Sequence, residues 1–411
     1  MAFDLTTLAD DLKNRFTPDF VDSMVYPRKP LFAALKKMKE MTGDKWLQPV
    51  VFDDLQATSA DFTTAQTQSA AAAPGLDRFE VTRIKKYSFA RVDNETILAT
   101  KGDQGAFFQA LTKAIDQSMS AQGRRLNWEL YKEGWGDIGQ VSNSGFATPT
   151  LTLTNPSDVV RYSKGQILSA STSQNAAVLK AGTLTVAGVN RAAGTVTMTG
   201  NLSAGIATIA QNDFLFLQGD REDSGSPTRR CLAGIEAWCP ATAPAATAFF
   251  GVDRTQDSRL GGLRYDGTGQ PIEEALIDAA SLAGREGAQL DFGVLNPVTY
   301  GQLIKSLGSK VQYVRMDQGS NEAKVGFEGV RIYTPAGQVD FFQDQDCPSN
   351  RAWMLQLNTW LFGSMGDVPR IINTDGLEVL RGSNYDGVEL RVGYYGNLIC
   401  KAPGWNINVQ I

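Results

Sequence analysis

The sequence contains no histidine. That absence removes Ser-His-Asp and Cys-His nucleophile arrangements, paired-histidine zinc sites and any imidazole proton shuttle near neutral pH. Cysteine is scarce: Cys231, Cys239, Cys347 and Cys400 form no CxxC pair, a pattern of reduced, buried thiols rather than of a zinc knuckle or disulfide framework. No apolar run approaches the length of a membrane span. Residues 1–16 carry acids early and lack an apolar stretch, so no signal peptide is expected and synthesis is expected in the cytoplasm. The glycine-rich phosphate loop, the dinucleotide fingerprint and the nucleophile elbow are all missing. A net charge of -5 gives no general attraction to nucleic acid.

Two acidic clusters remain. Asp220, Glu222 and Asp223 resemble part of a calcium loop, but EF-hand spacing places Cys231 where the closing Glu belongs. Asp344 and Asp346 stand in a Pro-containing loop, where turn formation explains them better than a glycosidase pair. No catalytic residue, cofactor or metal is expected.

What is present is globular. With 411 residues, 42% hydrophobic and 20% charged, the chain is expected to form about two to four domains. Residues 1–44 read as an arm with helices near 5–16 and 31–41, separated by Tyr26-Pro27-Arg28-Lys29-Pro30. Residues 45–92 read as two strands around a long polar tip, with Phe79, Val81, Tyr87 and Phe89 in period-two register. Connections this long are usually functional or flexible, and the tip has few bulky anchors. Between Asp103 and Gly134, Phe107, Leu111, Ile115, Met119, Leu126 and Leu130 share one helical face with Gln122 as the gap, and Arg125 with Glu129 forms an i,i+4 pair on the exposed side. The Thr- and Val-rich stretch 140–230 predicts short strands of a small barrel or sandwich. Beyond it lie helices at 272–287 and from Pro297, then β-rich segments with Asp386-Gly387 and Gly396-Asn397 as turn pairs.

This order of parts resembles the major capsid proteins of tailed bacteriophages, the Hong Kong ninety-seven fold. LNPVTYGQLIKSLGS is similar to the family's Asn-Pro-opened helix; GVRIYTPAG followed by DQDCPSNRAWML resembles its strand, acidic-Cys-Pro loop and strand; GVELRVGYYGNLICKAPGWNINVQI resembles its closing segment. The resemblance implies an α+β fold: N-terminal arm (1–44), extended loop (45–92), peripheral domain with a spine helix (93–139 and 374–411), inserted β domain (140–230) and axial domain (231–373). It implies a non-enzymatic virion component that self-assembles, as hexamers and pentamers, into an icosahedral shell enclosing double-stranded DNA without sequence-specific binding and without a membrane. Implied partners are a separate scaffolding protein, a portal and decoration proteins. Intersubunit contacts are expected at Arg28, Lys29, Phe62, Thr63, Gln66, Arg124 and Arg125. Some members weld subunits through a loop Lys and a neighbour's Asn; the tip 55–76 has no Lys, leaving Lys85 and Lys86 near the base, so no covalent cross-links are expected. An encapsulin-like compartment, a tail or decoration protein, and a carboxylate-based carbohydrate-active enzyme are the alternatives.

Overall fold

The computed structural model describes residues 29–53, 58–71, 75–93, 95, 118–175, 178–224, 228–307, 312–317, 326–372, 380–381 and 386–411. The helix expected near 5–16, Arg28, and residues 103–117 of the long helix lie outside them. Three larger sheets and one two-stranded ribbon form among the described residues.

The first sheet is organised by one strand, Gly387–Cys400. Ile84–Asp93 pairs along it from Gly387↔Asp93 to Gly396↔Ile84, while Trp360–Ser364, Arg370–Ile371 and Leu380–Arg381 share its other edge. Gly396-Asn397 is therefore not a turn. A Cβ on Gly396 would lie 2.6 Å from the Gly363 carbonyl, so glycine serves close strand approach. Asn397 is buried, donating to the Thr82 carbonyl at 2.8 Å and accepting from the Ala233 amide at 3.2 Å.

The arm also departs from expectation. Its helix covers only Pro30–Ala34; Leu35 turns extended, and Lys36–Met38 pairs in parallel with Trp360–Ser364. An open strand edge offers backbone partners in register, and that tertiary bonding outweighs the helical spacing of Leu31, Leu35 and Met38. Leu31 and Leu35 still reach the core, and Phe32 meets Phe362 edge-on at 5.6 Å.

A seven-stranded sheet runs Leu263–Asp266, Ile407–Gln410, Arg351–Leu355, Phe292–Leu295, Gly337–Gln343, Gly326–Thr334, Gln312–Asp317. Helix Ile272–Arg285 packs Ile272, Leu276, Ala279 and Ala283 against it, and helix Pro297–Leu307 opens with the Asn296 side chain accepting from the Val298 amide. Hydrogen bonding divides the C-terminal half differently from a boundary at 373: Trp360–Ser364 lies in the first sheet, and the last strand, Ile407–Gln410, returns to the seven-stranded one.

The Thr- and Val-rich stretch supplies Thr150–Thr152, Ile167–Ser171, Leu184–Asn190, Thr195–Met198 and Phe214–Leu217, joined by Asp137–Gln140, which lacked a clear sequence signal. The Val141↔Leu153 bridge joins the two outer strands, so the sheet closes into a small barrel around Ile138, Leu151, Leu168, Val186, Val196 and Leu215.

In the ribbon, Lys45–Val51 pairs with Leu76–Thr82. Phe79 and Val81 point into the core, with Phe79 edge-on to Trp238 at 5.0 Å. At Arg83 the chain changes sheets and the alternation shifts phase, so Ile84 and Lys86 are inward and Tyr87 and Phe89, expected to share the face of Phe79 and Val81, are exposed. The tip is not structureless. Phe62–Ala71 is a helix, and Asp61 caps it by accepting from the Thr64 amide at 2.8 Å.

The closed barrel should be autonomous. A fragment of residues 132–230 is expected to give one cooperative urea transition, whereas 141–230, which lacks the strand Asp137–Gln140 and the ion pair of Asp137 with Lys132 at 2.8 Å, should give a broad, non-cooperative one by circular dichroism. Cooperative unfolding of the shorter piece would refute the closing role of that strand.

Candidate functional site: two buried polar nodes on one helix

Residues 118–129 are helical, and Ser118, Gln122 and residues 126–131 are buried. Gln122, the gap in the apolar stripe, thus lies inside. So does Glu129, which spacing alone placed on the solvent side. Its carboxylate is 2% exposed and is the meeting point of four chain segments. Lys86 from the strand after the ribbon approaches Oε1 at 3.0 Å, Arg125 approaches Oε1 at 3.0 Å, the Leu232 amide donates to Oε2 at 3.3 Å, and the Tyr394 hydroxyl donates to Oε2 at 3.4 Å. Burial raises the Glu129 pKa, but the charges of Lys86 and Arg125 outweigh it and hold the group below the ordinary carboxylate value.

Asp220, from the acidic turn after the barrel, completes this node. It accepts from Lys86 Nζ at 2.9 Å and pairs with Arg125. Lys86 Nζ also lies 3.0 Å from Cys231 Sγ. Glu129, Asp220 and Cys231 come as close together as a metal's ligands do, yet the ammonium of Lys86 bonds to all three and two cations already balance the two carboxylates. Burial, with Glu129 next, pushes the Cys231 thiol up to about 11, so it is protonated at neutral pH and is a poor nucleophile. Gly134 and Gly136, at φ +91° and +85°, make the tight path past Cys231 that a side chain would block.

The second node lies two residues earlier on the helix. Asn127 Nδ2 donates to both Asp344 oxygens, at 3.0 and 3.2 Å, and to Asp346 Oδ2 at 2.8 Å; the Tyr131 hydroxyl donates to Asp344 Oδ2 at 2.8 Å. Both acids are buried, which a solvated turn loop would not require. Burial, then repulsion from Asp346, raises Asp344 to about 7, and burial raises Asp346 as well.

Among the residues expected at interfaces, Phe62, Thr63 and Gln66 are exposed on the tip helix, Arg124 lines a cleft of about 740 Å³ between this helix and the barrel, and Lys29 is half-buried against Gly123. Arg125 pairs with Glu129 and Asp220 within this chain. Lys86, Glu129, Asp220, Asn127, Tyr131 and Asp344 were missed as a set. The available signal was Glu129 standing between Trp128 and Leu130-Tyr131, too apolar a run for a solvated face.

Replacing Lys86 by Met should leave the buried Glu129 and half-buried Asp220 carboxylates facing Arg125 alone and reduce unfolding free energy by about 3–5 kcal/mol, whereas Lys85→Met, at an exposed neighbour, should change it by less than about 0.5 kcal/mol in the same urea titration. Equal effects would show that the node does not organise the subunit.

No protein-family model matches the chain, and no curated protein matches it in sequence. Among solved structures, the capsid asymmetric unit of cyanophage A-1(L) is similar over 98% of this chain and 97% of its own, with a TM-score of 0.51 at 12% identity. The holo-SrpI encapsulin complex of Synechococcus elongatus PCC 7942 matches over 100% and 96% at TM-score 0.49 and 7% identity, and the capsid of a native GTA particle over 97% and 95% at 0.46 and 9%. The first likeness covers nearly all of both chains, and the chain has the mixed α+β fold of a phage capsid subunit.

Proposed function

We propose that the chain is the major capsid protein of a tailed bacteriophage, assembling as hexamers and pentamers into an icosahedral shell around double-stranded DNA. In this reading helix 118–129 belongs to the spine helix of the peripheral domain and the barrel is an inserted domain. Scaffolding, portal and decoration proteins are its further partners, and it enters the virion. No helix among the described residues is long and apolar enough to cross a membrane.

The observation that carries the reading is the tip. Phe62–Ala71 has no buried residue among those whose burial is described, and Phe62 is 81% exposed. Leu47, Val51 and Leu76 on the ribbon below are also exposed. A capped helix with no buried residue among those described, above apolar residues facing solvent, gains its stabilisation from another surface, and a neighbouring copy supplies one at every position of a shell. We assign Phe62, Thr63 and Gln66 to that contact. The tip 55–76 carries no Lys, and at the loop's base Lys86 is held inside the subunit by Glu129 and Asp220 while Lys85 stands far from the tip in sequence, so the shell is proposed to be non-covalent.

Light scattering should find purified wild-type protein in particles of many subunits. Replacing residues 58–71 by a short Gly-Ser turn should leave a folded monomer or small oligomer. Wild-type particles boiled in detergent should run as one band near 44.5 kDa. Unchanged particles from the tip variant would reject the contact, a cross-linked ladder would reject non-covalent assembly, and a monomeric wild type of normal fold would reject the shell.

A further inference from the structure

Asp344 and Asp346 lie buried where the arm crosses the helix, and a shell subunit has no evident need for two ionisable groups there. The groups that face them come from every packed element. Lys29 comes from the arm, Arg124 and Asn127 from the helix, Tyr131 from its end, Arg161 from the barrel, and Cys347 from their own loop. Arg161 already pairs with Asp158 at 2.9 Å and stacks over Trp128 at 5.2 Å. Lys29 is different: it belongs to the arm, and a Cβ on Gly123 would lie 2.8 Å from its Nζ, so the bare helix backbone at Gly123 lets the amine settle beside the pair.

We propose that Asp344 and Asp346 form a proton-operated catch for the N-terminal arm, in which one proton shared by the carboxyls leaves Lys29 weakly held and loss of that proton draws Lys29 onto the helix. The single Asn127 Nδ2 donates to both carboxyls, and two full charges so placed repel in a poorly solvated site. A proton relieves the repulsion; without it, the arm ammonium of Lys29 is drawn closer.

The sign of the linkage distinguishes this catch from an ordinary ion pair. Asp344 is raised to about 7, whereas an unfolded Asp ionises near about 4. The native state therefore holds more protons between those values, so the pair's contribution to conformational stability falls as pH rises from about 4 to about 7 and is level above. Attachment of Lys29 changes in the opposite direction over the same window. Burial lowers the Lys29 pKa, and Asp346 opposes that.

The test is amine labelling of full-length, unassembled subunits between pH 5.5 and 8.5, with Lys29 read by mass spectrometry as a ratio to exposed Lys36 on the same arm. Since the subunit is used alone, the outcome is independent of the shell reading. The ratio should fall about threefold or more with a midpoint near neutrality, the loss of free amine that half a pKa unit on Lys29 produces. In Asp344→Asn it should be flat. A wild-type ratio that does not change with pH overturns the proposal, whether or not the variant folds; a fall that persists unchanged in a folded Asp344→Asn also overturns it.

Discussion

The subunit depends on one buried charge. Glu129 lies where the helix ends, the barrel returns, the ribbon feeds its strand into the first sheet and Gly387–Cys400 passes beneath, and it bonds to a residue from each. An isolated buried carboxylate would cost several kcal/mol, so each partner is needed by the others. The ribbon can project from the body because its base is fixed by Lys86 at this point and by Phe79 packed on Trp238. Rigidity at the base and exposure at the tip are two aspects of one arrangement.

The same helix carries two polar nodes of opposite design. At Glu129 and Asp220, two cations match two anions, and the depressed Glu129 pKa keeps that node charged through the neutral range. At Asp344 and Asp346 hydrogen bonds come from neutral Asn127 and Tyr131, cations stand farther off, and the pair is poised to hold a proton. One node is fixed and the other responds to pH.

Local pattern was legible where it decided the structure. Alternating Thr and Val gave the barrel strands, Ile272, Ala275, Leu276 and Ala279 gave the helix face, and Asn296-Pro297 gave the start of the next helix. Reading failed where a distant partner decided. Residues 35–41 carry helical spacing but lie along the edge of Trp360–Ser364; Gly396-Asn397 has the composition of a turn but sits mid-strand against Gly363. The nodes were least legible of all. Spacing reports which side chains neighbour one another along a helix, not how deeply they lie, so Arg125 and Glu129 looked like a solvated pair until Lys86 and Asp220, far away in sequence, closed over them.

The most direct test of the central claim, a subunit held together internally by its nodes and bound to its neighbours by its loop, is a cryo-electron density map of particles assembled from the purified protein. The account predicts a closed icosahedral shell in which the helix Phe62–Ala71 rests on an adjacent subunit while Lys86, Glu129 and Asp220 remain joined within each copy. Tubes or small oligomers, or a shell in which that helix touches no neighbour, would contradict it.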